Sequence, residues 1–193
     1  MSSHVPEYPS FAALASSHVE GRDFNRVVRS VQRSTVAVIA PHGGRIEPGT
    51  DSIAAQIAGT DFNLYCFTSH LPVKTANLHI TSHNFDDSAC LRLIAPCWYV
   101  VAIHGWESKD EAMLIGGLDT ILGTRLASAT RALGVKTITK SARLSGTHLQ
   151  NVCNRGASGR GIQLEFSMSL RRSDKIPNLV LAIRGALLQC EAS

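Results

Sequence analysis

The segment TVAVIAPHGGRIEPGT, residues 35–50, breaks an apolar run at Pro41 and places His42, two glycines and Glu47 directly after it. Glycine tolerates tight backbone turns, so an imidazole and a carboxylate five residues apart can be brought to one point. A second imidazole, His104, follows the apolar run WYVVAI in VVAIHGW. Glu165 lies near the end of a third run, GIQLEFS. Two histidines and a carboxylate are the usual protein ligands of a hydrolytic zinc that keeps its fourth position for water, and a further glutamate is the usual general base. The bland readings stand beside this one. A histidine after a buried strand is often a hydrogen-bonded turn residue. Glu165 either is a buried carboxylate, costly unless paired or metal-bound, or alternates with Gln163 toward solvent on a half-exposed strand. The residues alone leave both open.

Three other groupings compete. His79 and His83 in LHITSH have the i, i+4 spacing of a helical metal pair, but the segment reads as strand or turn and lacks the glutamate of the zincin motif. The glycines of PHGG are not followed by the Lys-Ser/Thr of a nucleotide loop. The glycine-rich loop NVCNRGASGRG carries Asn151, Asn154 and Arg155. It suits either a grip on a carboxylate, through amide and guanidinium donors, or a solvated surface loop.

The elements that would position these groups alternate. Strand-like runs occupy 35–40, 62–67, 98–103, 112–117 and 161–167. Helical patterns lie at 50–59, 87–95 and 118–134, with a short helix near 11–17 and a final one over 176–190, where Pro177 is tolerated in the first turn. Short continuous apolar strands between amphipathic helices predict a single α/β domain over 1–193, with an open sheet covered on both faces. Residues 1–23 read as an irregular lead-in and 174–193 as a C-terminal helical stretch. The runs 98–103 and 112–117 are too close for a helical crossover, so the sheet is expected to be mixed parallel and antiparallel. His42, His104 and Glu165 then fall at the carboxyl ends of three strands, the edge where open α/β sheets bind ligands.

Composition excludes several classes. The 193 residues suit one domain, and 44% hydrophobic with 18% charged residues is globular. No apolar run approaches the roughly 18 residues of a membrane span. The N-terminus lacks the basic start and apolar core of a signal peptide. Five scattered cysteines, with no Cys-x-x-Cys, argue against a disulfide framework or thiolate site. A cytoplasmic monomer with no membrane partner is expected. The net charge of +4 is mild, but fourteen of the nineteen basic residues are arginine, which is compatible with an anionic partner. No basic stripe interleaved with aromatics points to nucleic acid.

Taken in order, VAVIAPHGGRIEPGT, LHITSHNFDD, VVAIHGW, GGLD and NVCNRGASGRGIQLEFS resemble the poly-gamma-glutamate hydrolase family, from about Phe11 to Arg172. That family includes bacteriophage enzymes and bacterial relatives often labelled phage-related replication proteins. The resemblance implies a zinc carboxypeptidase-like fold and cleavage of the gamma-amide links of poly-gamma-glutamate with one zinc ion. By position it implies His42, Glu47 and His104 as zinc ligands and Glu165 as the catalytic glutamate. It further implies Asn151, Asn154 and Arg155 in the grip on substrate carboxylates and His79 lining the site. Ser88 stands where relatives often carry proline after the Phe-Asp pair. Two alternatives accompany this expectation: a zinc peptidase or amidase acting on another acidic amide, such as a peptidoglycan-type gamma-glutamyl peptide, and a nucleic-acid-binding phage replication protein.

Overall fold

A computed structural model of the chain describes residues 7–72, 77–142 and 144–191. Residues 1–6 of the expected lead-in and 192–193 of the C-terminal stretch lie outside the described residues. The apolar runs pair into one seven-stranded sheet of β1 (Phe24–Arg29), β2 (Val36–Gly44), β3 (Asn63–Ser69), β4 (Tyr99–Trp106), β5 (Ala112–Gly117), β6 (Lys136–Ile138) and β7 (Ile162–Ser167), in the order β1-β3-β2-β4-β7-β5-β6. β2 runs parallel to β3 and β4, β4 to β7, and β5 to β6, whereas β1–β3 and β5–β7 are antiparallel. The mixed sheet follows the expectation with one refinement. β4 and β5 do run in opposite directions, but β7 is inserted between them.

Period-two alternation sends successive side chains of each strand into two separate cores. Val36, Val38 and Ala40 of β2 pack with Val101, Ile103, Leu164 and Phe166 beneath the helices α2 (Thr50–Ala58), α4 (Thr120–Ala132) and α6 (Ile176–Glu191). Ala37 and Ile39 point the other way, to Tyr65, Phe67 and Phe85, under α1 (Phe11–Ala15) and α3 (Ser88–Ile94). A fifth, one-turn helix, α5 (Met168–Arg171), follows β7 directly. Pro177 sits at the second residue of α6, where its missing N–H costs nothing. The caps read as their residue types predict: Asp87 accepts from the Ala89 N–H and Asp119 from that of Leu122. Asp87 is fully buried and also accepts from Tyr65 and Arg26, which ties the start of α3 to the sheet.

β1 and β6 have no counterpart among the expected strands. Both are sheet edges. β1 reads FNRVVR with only Phe24 buried, and β6 has three residues. An edge strand buries little, so neither carries a strong apolar signal.

All five cysteines are free and buried. Burial pushes the thiol of Cys97 up to about 11 and those of Cys66 and Cys153 to about 12. Since the thiolate is the reactive form, these three should resist a thiol reagent such as DTNB at neutral pH. They should become fully reactive only on unfolding in denaturant. Rapid labelling of any of them in the native protein would contradict the burial.

Candidate metal centre

The centre begins with an irregularity in β2. Pairing with β3 runs Ala40↔Cys66 and resumes at Gly43↔Thr68, so one extra residue is accommodated on β2. Pairing of β2 with β4 has already ended at Ile39↔Ala102. A bulge of this kind re-aims a side chain, and the one re-aimed is His42. A side chain at Gly43 would stand 2.8 Å from the Phe67 carbonyl, and Gly44 adopts φ 67° against the Ser69 backbone. Both positions therefore require glycine for β2 to stay close to β3. His42 was expected in a loop after the strand and His104 just beyond another. Both lie within the strands, His42 in the bulge and His104 in β4 beside Glu165 of β7 in register.

Four side chains converge here. His42 Nδ1 is 3.1 Å from Glu47 Oε1 and 3.1 Å from His104 Nδ1, and His104 Nδ1 is 3.7 Å from Glu47 Oε2. The backbone N–H of Gly105 donates to Glu47 Oε2 at 2.8 Å and orients the carboxylate. His42 Nε2 lies 2.8 Å from the Ile80 carbonyl, which can only accept, so Nε2 carries the proton. Nδ1 is then a lone pair facing a carboxylate oxygen, a contact that repels unless a cation or an added proton lies between them. A backbone carbonyl fixing the distal nitrogen of a ligating histidine is the usual outer support of a metal site. The donor set of imidazoles and one carboxylate fits a divalent metal.

The ligand atoms of His42, Glu47 and His79 also lie within 4.8 Å of one another, so two histidines offer themselves as third ligand. The geometry favours His104. Its Nδ1 faces the same carboxylate as that of His42, whereas the His79 ring lies over the face of His42, centroids 4.0 Å apart. Burial pushes His79 down to about 3, which keeps its ring neutral, the form in which a histidine can either line a site or ligate a metal. Its Nδ1 is 3.1 Å from Glu7 Oε1, outside hydrogen-bonding geometry. His83 takes no part in a pair with His79 and lies instead against His148, ring centroids 5.2 Å apart.

The titration of the cluster follows from its geometry. Burial alone would raise Glu47, but His42 and His104 outweigh it and hold the carboxyl below the ordinary carboxylate range. Burial would lower His104, but Glu47 and then Glu165 draw it upward. Glu165 itself is raised, chiefly by burial. It is 4% exposed, so its alternation with Gln163 faces the buried site rather than solvent.

Glu165 is held by a chain of amides. Gln163 Nε2 donates to Glu165 Oε1 at 2.9 Å, Asn151 Nδ2 donates to Gln163 Oε1 at 2.8 Å, and Asn151 Oδ1 accepts from the Cys153 N–H at 3.1 Å. A carboxylate at one end and a backbone N–H at the other leave only this polarity. These residues line a cleft of about 360 Å³ with His42, Glu47 and His104. A larger cleft of about 630 Å³ lies beyond it and contains none of the cluster.

Two expected grip residues do not line the metal cleft. Asn154 is buried and spent on the backbone, donating to the Gly146 and His148 carbonyls and accepting from the Gly161 N–H. Arg155 donates to the Phe85 carbonyl at 3.1 Å. The reason is topological: a loop that feeds a strand lies at the strand's amino end, and the cluster sits at the carboxyl ends. Asn151 does reach the cleft, as part of the amide chain. Spacing also missed Gln163 as an orienting group and Arg171, whose guanidinium packs against Gly105 and donates to the Pro48 carbonyl at 2.8 Å. For Gln163 the available signal was its position two residues before Glu165 on one face of a strand. For Arg171 the sequence carried none.

Comparison with known proteins places this geometry. A family model described as poly-gamma-glutamate hydrolase matches residues 8–174. The SPbeta prophage-derived UPF0714 protein YoqZ of Bacillus subtilis (strain 168) is 34% identical over 168 residues, 86% of this chain. UPF0714 protein YmaC of the same organism is 30% identical over 168 residues. The chain spans 60% of the length of YoqZ and 71% of that of YmaC. Among solved structures, a bacteriophage poly-gamma-glutamate hydrolase superposes with a TM-score of 0.90 at 28% identity, covering 96% of this chain and 98% of that one. A zinc-free apo form of YNDL superposes with a TM-score of 0.84 at 23% identity, covering 95% and 98%.

Proposed function

The chain belongs to the poly-gamma-glutamate hydrolase family, and from that premise we propose that it is a zinc-dependent hydrolase of the gamma-glutamyl amide bonds of poly-gamma-glutamate. The observation that carries the reading is the convergence of His42 Nδ1 and His104 Nδ1 on the Glu47 carboxylate, at 3.1 and 3.7 Å, with His42 Nε2 engaged by the Ile80 carbonyl. His42, Glu47 and His104 would hold the metal. A zinc ion bound there supplies Lewis acidity, which eases ionisation of water near neutral pH and polarises a carbonyl.

The chain's own residues account for the rest. Glu165, whose carboxyl is raised chiefly by burial and which accepts a hydrogen bond from Gln163, is the carboxylate placed to act as base. It accepts a proton from the attacking water as the oxygen adds to the amide carbon. It returns that proton to the leaving nitrogen as the C–N bond breaks, giving a carboxylic acid and an amine, which exchange the acid's proton to leave as carboxylate and ammonium. Gln163 and Asn151 aim Glu165, the Gly105 N–H aims Glu47, and the Ile80 carbonyl aims His42. His79 walls the cleft.

The test is metal analysis of the purified protein combined with product analysis on gamma-linked and alpha-linked polyglutamate. Zinc at one per chain with cleavage of the gamma-linked polymer alone is expected. Cleavage of neither polymer would overturn the reading. A narrower variant addresses the amide chain. Gln163→Leu keeps the volume but removes one hydrogen bond to the base, a loss of order 1 kcal/mol, so turnover should fall about fivefold with zinc content unchanged. Wild-type turnover would show that the amide does not orient Glu165.

A further inference from the structure

The larger cleft has a cause in the sheet. β6 pairs with β5 only over Ala112–Leu114, so the edge of Ile115–Gly117 is left uncovered by a strand. Residues 139–142 and 144–147 lie there instead, fastened where the Gly117 N–H donates to the Ser145 carbonyl at 2.8 Å, and the cleft opens between them and α4. Two cations line it, Arg131 in the last turn of α4 and Lys140. Neither has a carboxylate within ion-pair distance among the described residues. The hydroxyls of Thr120, Thr124 and Thr139 are in the same wall. The lining has a single carboxylate, Asp119, and it is committed to capping α4 through the Leu122 N–H. Ser145 and Thr147 line this cleft and the metal cleft alike, so one thin wall separates the two.

We infer that this cleft is a second subsite for an acidic chain, in which Arg131 and Lys140 hold carboxylates of the substrate beyond the residues at the metal centre. The inference rests on the reading of the chain as a hydrolase of an acidic polymer. The metal cleft, at about 360 Å³, holds only a short stretch of such a chain, and every further gamma-linked glutamate brings one more free carboxylate. A neighbouring trough with two unpaired cations and several hydroxyl donors offers those carboxylates charge and hydrogen bonds. The arginine excess in the sequence is otherwise unexplained by the metal site.

The experiment compares long poly-gamma-glutamate with a gamma-linked glutamate trimer, using wild type and the double variant Arg131→Ala, Lys140→Ala. Both side chains are exposed on the surface, so the fold should survive. The control is Arg33→Ala, Arg92→Ala, which removes the same charge at a separate cleft between Val28 and Pro96. Exposed charge contacts are individually modest, so KM for the long polymer should rise roughly tenfold, with the trimer unaffected and the control unchanged. Binding of the long polymer to metal-stripped protein should weaken by the same factor and lose part of its salt dependence. Unchanged KM and binding for the long polymer would overturn the subsite, and so would an equal loss on polymer and trimer or an equal effect in the control. If wild type binds the polymer through these residues but cleaves no gamma-glutamyl bond, the subsite stands and the proposed reaction falls.

Discussion

Protein carrying His42→Ala is expected to lose its zinc and its hydrolytic activity together, with activity down by at least about 10³-fold because both ionisation of water and carbonyl polarisation depend on the metal. In the proposed site His42 would give the metal its Nδ1, since its Nε2 is engaged by the Ile80 carbonyl. His104→Ala should behave alike, and Glu47→Gln should weaken metal binding by removing the charge that the two imidazoles face. Elemental analysis after dialysis, with thermal melts to show that the variants fold, reads the outcome. Stoichiometric zinc in the double variant His42→Ala, His104→Ala would defeat the assignment. Zinc lost from His79→Ala but kept in His104→Ala would make His79 the third ligand, as its distance from His42 and Glu47 allows. Treating wild type with a chelator should abolish activity, and added zinc should restore it.

The second large effect is expected from Glu165→Gln. The substitution preserves shape in a position only 4% exposed but leaves no group able to take a proton. Turnover should fall by roughly 10²- to 10⁴-fold, the usual contribution of a general base. KM should change little, and zinc should stay at one per chain, because Glu165 reaches the cluster from β7, accepts from Gln163 and is not among the proposed ligands. This separates it from Glu47, whose loss removes metal and activity at once. Near-normal turnover by Glu165→Gln would mean that the carboxylate packs beside His104 without moving protons.

Much of the architecture was legible because burial imposes periods. The runs 35–40, 98–103 and 161–167 are apolar on both faces, since helices cover both sides of the sheet, and each forms a strand within a residue or so of the expected start. The rule that ligands gather at the carboxyl ends of such strands brought His42, His104 and Glu165 to one edge before any coordinate was known. Edge strands such as β6 were invisible, because three residues with no buried face leave no pattern.

Residue types and spacing by themselves determined a mixed α/β sheet and the chemistry available at its edge, because apolar period and the preferences of histidine and carboxylate for metal are local properties. Tertiary structure decided how those groups are used. A one-residue bulge in β2 carries His42 to Glu47, and the Ile80 carbonyl engages its Nε2 so that Nδ1 faces the cluster. The insertion of β7 between β4 and β5 sets Glu165 beside His104 and makes it a buried carboxylate rather than one alternating toward solvent. The same insertion leaves Arg155 and Asn154 at the amino end of β7, fastened to Phe85 and to the 146–148 backbone rather than lining the metal cleft. Which groups share a point in space depends on strand order and register, and these arise from contacts between segments far apart in the chain, which no local pattern records.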